Sequence, residues 1–264
     1  MKPLLKSLAS MRFRSLFLPL TLVALALFSC ENSPVEKTDT PGTSAGQPQF
    51  TAAYGTPTID GLGADETWAS AEWLPLNQVW VGTPPTPEDF TGRYKLAWDE
   101  NNVYLLAEIT DDTLVDTHPD GLLRYWDDDC LEIFVDEDAT GGNHQYSHNA
   151  FAYHIALDGK VVDIAADSSF QYYNDHCTMR RTTQGNTTTW EVAMKIFDGN
   201  KYVDGGDNIP KLLQTGKKMG FMLAYCDNDR SAERENFVGN VVIAGKDKNR
   251  GFIDASIFGI LELK

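Results

Sequence analysis

The feature that most restricts the fold is a series of short segments in which apolar and polar residues alternate. Residues 93–98 and 103–110 are two such segments, and the turn 99–102 between them predicts a hairpin. Many short strands at close spacing, with few helical turns, are typical of two packed sheets. The sequence therefore predicts an all-β fold, an antiparallel β-sandwich with jelly-roll-like strand pairing.

Further segments fit the same pattern. The short strand 57–61 is expected to lead into a helical turn that Asp65 caps and that points Trp68 inward. Residues 209–214 form a turn at most. The other predicted strands are 131–136, 151–158, 161–165, 189–196, 219–226, 238–243 and 257–263.

The stretch 125–136 places a large aromatic residue and three consecutive carboxylates directly before a strand. Alternation puts Leu131, Ile133 and Val135 on one face of that strand and Glu132 on the other, with Phe134. A carboxylate inside an apolar strand needs either solvent or hydrogen-bonding partners. We interpret the face that carries Glu132 as the wall of a binding site.

The N-terminal part reads as an export signal and a tether. Residues 1–29 combine a basic start with a short apolar run, too short for a membrane span. Residues 27–30 resemble a bacterial lipobox, in which Cys30 is lipidated; an ordinary signal peptide with an incidental cysteine is the alternative. Residues 30–50 are rich in Pro, Ser, Thr and Gly and predict a flexible tether. The folded domain is expected at 51–264, held at the cell envelope, on the outer membrane or cell surface.

The charge of the chain limits its partners. The formal net charge is −16, and removal of 1–29, with four basic and no acidic residues, leaves about −20. Such a surface should repel nucleic acid and suits neutral ligands and divalent cations. Three cysteines follow Cys30, namely Cys130, Cys177 and Cys226, without a CxxC pair. These three cysteines could form one disulfide and leave one thiol, or all three could remain thiols.

Taken together and in order, several motifs resemble carbohydrate-binding module family 9. This resemblance covers nearly all of 57–264 and implies a β-sandwich that binds sugar and carries structural calcium. The motifs are Ile59-Asp60-Gly61 with Trp68, Leu96-Ala97-Trp98-Asp99, Val103-Tyr104-Leu105, Trp126-x-x-Asp129-x-x-Glu132, Trp190-Glu191-Val192-Ala193, Gly220-Phe221, Asp227-Asn228-Asp229 and Phe258-Gly259.

The resemblance also implies a set of carbohydrate-binding residues. Trp126 resembles one aromatic wall of the family's sugar clamp, and Glu132 resembles its hydrogen-bonding carboxylate. Asn249 lies near a sugar-contacting amide. Phe252 stands where the family has a second Trp wall, and His154 where it has an Arg. Phe252 offers a smaller stacking surface than Trp, and His154 is a titratable donor, unlike Arg. Both departures leave the identity of the sugar undefined, because they would favour a different sugar or weaker binding.

The chemistry of these residues suits a sugar independently of the resemblance. Sugars present apolar CH faces and dense hydroxyl edges, so a site needs a flat aromatic ring and charged or amide groups. Carboxylate runs are expected to supply any calcium ligands, although they lack the spacing of an EF-hand loop. The candidate ligands are Asp127, Asp129, Asp136, Asp227 and Asp229.

These features predict a non-catalytic lipoprotein that binds oligo- or polysaccharide and supports its capture or degradation. Two alternatives are weighed. A glycoside hydrolase would need two carboxylates across the bond, such as Glu132 with Asp163 or Glu191. A haem-binding electron-transfer sandwich would need axial ligands, such as His154 with Met194 or Met222.

Overall fold

The computed structural model describes residues 46–264; the predicted signal, Cys30 and most of the predicted tether lie outside this range. Two 3₁₀ turns, Arg250–Phe252 and Ala255–Ile257, and one short helix, α1 (Glu66–Ser70), accompany the strands. The strands are β1 (Gln49–Tyr54), β2 (Leu74–Leu76), β3 (Gln78–Val81), β4 (Phe90–Trp98), β5 (Val103–Asp111), β6 (Cys130–Asp136), β7 (Phe151–Ala156), β8 (Val161–Ile164), β9 (Phe170–Tyr172), β10 (Cys177–Gln184), β11 (Thr187–Met194), β12 (Lys218–Asp227), β13 (Asn236–Gly239) and β14 (Gly259–Leu263).

Among residues 46–264, helices with the length and apolar character needed to cross a bilayer are absent.

Two sheets face each other and are joined through one strand. The front sheet has the order β9-β8-β7-β6-β12-β14, with β13 beside the second half of β12 and β3 beside β13. The back sheet has the order β10-β11-β5-β4, with β2 on β4. The first part of β1 pairs with β14 and its last two residues pair with β4. The all-β sandwich is confirmed.

Strand direction departs from the prediction at one place. All other pairs are antiparallel, but β1 runs parallel to both β14 and β4. A parallel neighbour cannot be reached by a short hairpin and requires a long connection. Here the connection to β14 is almost the whole domain, so local sequence gives no sign of the pairing. β1 also begins at Gln49, inside the predicted tether.

The core lies between the two sheets. Tyr225 of β12 stacks on Phe90 of β4 with ring centroids 5.5 Å apart, and Phe221 of β12 meets Tyr94 of β4 at 6.2 Å. Tyr225 is directly opposite Leu131 on β6, so Leu131 shares this inner face. Alternation then places Glu132 on the outer face of the front sheet, as the sequence pattern predicts.

The predicted strand 57–61 is wrong, and the reason is a side chain from another element. The amides of Asp60 and Gly61 donate to the Glu191 carboxylate at 3.1 and 2.7 Å, in place of a neighbouring strand. The indole of Trp68 donates to the same carboxylate at 2.7 Å. Helix α1 and buried Trp68 agree with the sequence, but the Asp65 side chain makes no capping hydrogen bond.

One close contact gives a prediction about stability. The indole of Trp80 lies directly against Gly239, so a methyl group at Gly239 would overlap it, and Trp80 Nε1 donates to Val241 O at 2.8 Å. Overpacking of this kind costs about 1–3 kcal/mol. We expect Gly239→Ala to lower the melting temperature by roughly 2–10 °C, measured by calorimetry. In a Trp80→Leu background the same change should cost clearly less; an equal cost would show that the contact is not the cause.

Candidate functional site

A pocket of about 320 Å³ lies on the outer face of the front sheet. All five residues predicted to bind carbohydrate border it, although they come from β6, β7, the loop before β6 and the segment around the first 3₁₀ turn. The full lining is Tyr125, Trp126, Glu132, Ala152, His154, Asp163, Ile164, Phe170, Arg234, Asn249 and Phe252.

An ion pair forms the floor of the pocket. Glu132 and His154 are directly opposite on β6 and β7, and Oε2 of Glu132 lies 3.0 Å from Nε2 of His154. Both side chains are buried. Burial opposes the imidazolium, but the Glu132 charge outweighs it and raises the pKa of His154 to about 10. Burial raises the pKa of Glu132 while His154 lowers it. The pair therefore places two charged groups at the floor of a pocket whose lining is partly aromatic.

A second carboxylate, Asp163 on β8, lines the pocket beside this pair. Its oxygens accept hydrogen bonds from the amides of Ala152 at 2.8 Å and Ile164 at 2.7 Å. Burial raises the pKa of Asp163 to about 7, and the two amides act in the opposite direction. Because both oxygens have backbone donors, the carboxylate is held in a fixed orientation.

Arg234 is a site residue that the sequence does not reveal. It comes from the loop between β12 and β13, and its guanidinium stacks 4.1 Å above the Phe237 ring. Nη2 donates to Oδ1 of Asn249 at 2.8 Å, and Nη1 donates to Sγ of Cys226 at 3.1 Å. Arg234 thus connects the pocket wall at Asn249 to the front sheet. A charged loop residue has no periodic pattern that would indicate this position.

One wall of the pocket is aromatic. The rings of Tyr125, Trp126 and Phe170 meet edge to face, with centroids 5.0 to 5.7 Å apart. Tyr125 also packs against His154 at 4.7 Å. Phe252, the last residue of the first 3₁₀ turn, also lines the pocket. Phe170 lies on β9, a three-residue strand too short to predict from alternation.

The residues of the two alternative functions are only partly brought together. Glu191 lies on β11 in the back sheet and holds Trp68, whereas Asp163 shares the pocket with Glu132. Met194 is also on β11, so it is in the other sheet from His154. His154 contacts the Glu132 carboxylate, as described above.

Two clusters of carboxylates lie close to each other at the end of the sandwich. Asp111, Asp129 and Asp227 are buried, and each has an oxygen within 4.8 Å of the others; Asp89, Asp112 and Asp229 form a second, more exposed group. Asp111 ends β5, Asp227 ends β12 and Asp129 precedes β6, so the buried cluster joins both sheets.

The surroundings of these clusters fit a hard cation. Burial raises the pKa of Asp129 to about 9 and that of Asp227 to about 8, with a further rise from neighbouring carboxylates. Buried oxygens without a hydrogen-bond partner remain on Asp227, Asp229 and Asn236. Calcium prefers several carboxylate and amide oxygens of this kind. The residues at the end of the sandwich therefore suit Ca²⁺.

The five candidate calcium ligands divide between these clusters and other roles. Asp129, Asp227 and Asp229 belong to the clusters. Asp127 lies 2.8 Å from Arg124 Nε and accepts from the Arg234 amide at 3.1 Å. Asp136 accepts from the Gly141 amide at 2.7 Å. Three cluster members were not among the candidates: Asp111 in the buried cluster, and Asp89 and Asp112 in the more exposed one.

Comparison with known proteins agrees with this architecture. The sequence model of the carbohydrate family 9 binding domain-like family matches residues 59–264. Endo-1,4-beta-xylanase A of Thermotoga maritima is 28% identical over 215 residues, which cover 81% of this chain. Exoglucanase XynX of Acetivibrio thermocellus is 32% identical over 202 residues and 74% of the chain. The aligned part spans only 17% of the length of each of these relatives.

Solved structures share the fold. A carbohydrate binding module family 9 from Caldicellulosiruptor kristjanssonii in complex with cellotriose has a TM-score of 0.61 at 20% identity, covering 82% of this chain and 94% of that one. A putative carbohydrate-binding protein from Bacteroides uniformis has a TM-score of 0.56 at 12% identity, covering 83% and 100%. The match of the family model over most of the chain, with this fold, shows that the chain belongs to the carbohydrate family 9 binding domain-like family.

Proposed function

We propose that this domain binds carbohydrate, without catalysis, in the pocket on the outer face of the front sheet. The observation that carries the proposal is the convergence of an aromatic wall with the buried Glu132–His154 pair in one pocket. A flat apolar surface beside fixed charged groups matches the CH face and hydroxyl edge of a sugar ring. Membership of a carbohydrate-binding family supports the same conclusion.

Each residue has a distinct part in the proposed complex. Trp126 and Phe252 stack on the sugar ring, and Glu132, His154 and Asn249 bind its hydroxyls. Arg234 already donates to Asn249 and is the guanidinium available in this pocket. The resemblance expects an Arg at the position of His154, and Arg234 brings a guanidinium into the pocket from another segment. Burial of Glu132 and His154 fixes their orientation before ligand arrives, which lowers the entropy cost of binding.

The proposed ligand is the end or a short segment of a gluco- or xylo-polysaccharide. The neighbouring structure from Caldicellulosiruptor kristjanssonii holds cellotriose, and a second one from the same organism holds glucose. The relatives with this domain carry xylanase and exoglucanase names. In the proposed setting, lipidation at Cys30 anchors the protein in the cell envelope, where it retains polysaccharide for degradation or uptake.

Titration with a panel of oligosaccharides tests this function. Isothermal calorimetry of the purified protein with gluco-, xylo- and manno-oligosaccharides should give saturable binding to at least one gluco- or xylo-series ligand. Incubation of the same ligands should release no new reducing ends. If the whole panel fails to bind, the carbohydrate proposal is wrong; if reducing ends appear and depend on Glu132 and Asp163, the domain is a hydrolase instead.

We also propose that Asp111, Asp129 and Asp227 hold a structural Ca²⁺, with Asp89, Asp112 and Asp229 beside them. The cation would neutralise three buried carboxylates that lie within 4.8 Å of one another. Since these residues lie at the ends of strands from both sheets, the bound ion would fasten the sheets together. Its role is structural, because the clusters do not line the carbohydrate pocket.

Removal of calcium should lower stability. A ligand present at a hundred times its dissociation constant adds about 2.7 kcal/mol, so chelation with EDTA should lower the melting temperature by roughly 5–10 °C. Without the ion, the raised pKa values of Asp129 and Asp227 mean that stability falls as pH rises from about 4 to 9. The calcium effect should therefore be larger at pH 8 than at pH 5, measured by calorimetry.

A variant separates this site from other acidic residues. Asp227→Asn should lose most of the response to calcium, whereas Asp167→Asn, an exposed carboxylate near β9, should keep it. A melting temperature that is the same with calcium and with EDTA at pH 8 would contradict the proposed site.

A further inference from the structure

At the floor of the carbohydrate pocket and beside it, three side chains of metal-ligand type come from three adjacent strands. They are Cys130 of β6, His154 of β7 and Cys226 of β12. Cys130 is directly opposite Cys226, and Glu132 is directly opposite His154. Residues paired in this way point to the same face of a sheet, and positions 130 and 132 also share a face. The three groups therefore converge on the outer face.

The geometry of the three groups is close to that of a metal site. All three side chains are buried, and their sulfur and nitrogen atoms lie within 4.8 Å of one another. Both cysteines are free thiols. Ligand atoms around tetrahedral zinc, with bonds of about 2.0 to 2.3 Å, are roughly 3.5 Å apart. A small inward movement of these side chains would reach that arrangement.

The donor set selects the kind of metal. Two thiolates and one imidazole prefer zinc and other thiophilic cations, whereas calcium and magnesium require oxygen ligands. The two kinds of site are consequently separate in chemistry, although Asp129 precedes Cys130 and Asp227 follows Cys226 in the chain.

The groups around the three ligands have the roles that a metal site needs. Arg234 Nη1 donates to Cys226 Sγ at 3.1 Å, as a hydrogen-bond donor does to a metal-bound thiolate. The two nitrogens of His154 have separate partners, Glu132 Oε2 at 3.0 Å and Ala152 O at 3.3 Å. Whichever nitrogen binds the metal, the other keeps a partner that fixes the ring.

Charge is also balanced. A divalent cation with two thiolates is neutral in total, Glu132 and Arg234 carry opposite charges, and the nearby Asp163 carboxylate keeps its two backbone donors. A buried charge without a partner is costly, so this balance favours a bound metal at a buried position. His154 and Glu132 line the pocket, whereas the two buried cysteines do not, so the metal would sit beside the floor of the pocket.

We propose that Cys130, His154 and Cys226 bind one Zn²⁺ beside the floor of the carbohydrate pocket. On binding, the two thiols and the His154 imidazolium each release a proton to solvent, and two sulfur–zinc bonds and one nitrogen–zinc bond form. Three protein ligands leave one position of the tetrahedron open. The ion would hold the His154 ring in place at the floor of the pocket. This site shares His154 with the proposed carbohydrate pocket, but its test uses metal and no sugar, so either proposal can fail without the other.

Cobalt titration provides the test, because Co²⁺ replaces Zn²⁺ and thiolate ligands give it a charge-transfer absorption band. The protein is prepared reduced and metal-free in a Cys30→Ser background, so that only the three described thiols remain. We expect one Co²⁺ per chain, a thiolate band, and loss of that band when Zn²⁺ is added. Absence of the band would overturn the proposal.

Matched variants locate the site. Cys226→Ser and Cys130→Ser should each lose the band and weaken zinc binding at least a hundredfold, whereas Cys177→Ser, a buried cysteine of β10, should keep both. His154→Gln, which retains both thiols, should also weaken zinc binding. Near-ultraviolet circular dichroism checks that each variant is folded. Equal binding by Cys226→Ser, or a Cys130–Cys226 disulfide in the freshly purified protein detected by mass spectrometry, would refute the site.

Discussion

Replacing Trp126 with Ala should weaken binding of the best oligosaccharide by roughly 30-fold or more, with little change in melting temperature. Trp126 is half-buried, borders the pocket and packs edge to face with Tyr125 and Phe170. Aromatic anchors of this kind contribute about 2 kcal/mol or more to a binding site, and 1.4 kcal/mol corresponds to tenfold in affinity. Calorimetric titration of the variant with that ligand provides the measurement.

Trp73→Ala is the matched control. Trp73 is also half-buried, but it packs under Arg93 at 4.1 Å and Lys95 at 4.7 Å, both on β4 of the back sheet. Its loss should leave the affinity for sugar unchanged. If folded Trp126→Ala binds as tightly as the wild type, the aromatic wall does not contact the ligand.

Replacing Glu191 with Ala should lower the free energy of unfolding by about 3–5 kcal/mol, since a buried charged hydrogen-bond acceptor is lost and its donors are stranded. The Glu191 carboxylate accepts from the amides of Asp60 and Gly61 and from the Trp68 indole, and the side chain is fully buried. Without it, the buried Gly61 amide, the buried Trp68 indole and the part-buried Asp60 amide lose their acceptor. Urea unfolding should show a lower midpoint, and the melting temperature should fall by roughly 10 °C.

Two further substitutions serve as comparisons for the loss of stability in Glu191→Ala. Glu191→Gln keeps one carbonyl oxygen and should cost less than Glu191→Ala. Glu108→Ala removes a carboxylate that pairs with Arg93 near the surface of the same sheet, and such pairs contribute less than about 1 kcal/mol. If Glu191→Ala is no more costly than Glu108→Ala, the Glu191 network does not hold the segment 57–61 and α1 in place.

Local alternation was enough to predict the strands that pair with their neighbours in sequence. The β4–β5 hairpin and strands β6, β11 and β12 lie close to their predicted bounds because each has a regular apolar face. The strands missed were β1, β2, β3, β9 and β10. Most are short or edge elements, and β1 pairs with segments far away in the chain. Segment 57–61 has the composition of a strand, but Glu191 takes its amides.

In the candidate site, too, some residues could be predicted from local sequence and others could not. Trp126 and Glu132 follow from the chemistry of one stretch, while His154, Asn249 and Phe252 depended on the resemblance to a family; the structure brings all five to one pocket. Arg234, Phe170 and Tyr125 were not predicted as ligand contacts. Arg234 and Phe170 come from a loop and a three-residue strand, so only tertiary packing decides where their side chains lie. The roles of these residues toward sugar stay predictions.

The way β1 passes from one sheet to the other has a mechanical consequence. A pull directed along β1 from its start acts against hydrogen bonds to β14 in one sheet and to β4 in the other. Hydrogen bonds loaded in this direction resist together, whereas those of a strand peeled sideways break one at a time. A force along β1 therefore loads the hydrogen bonds of both sheets in shear at the same time.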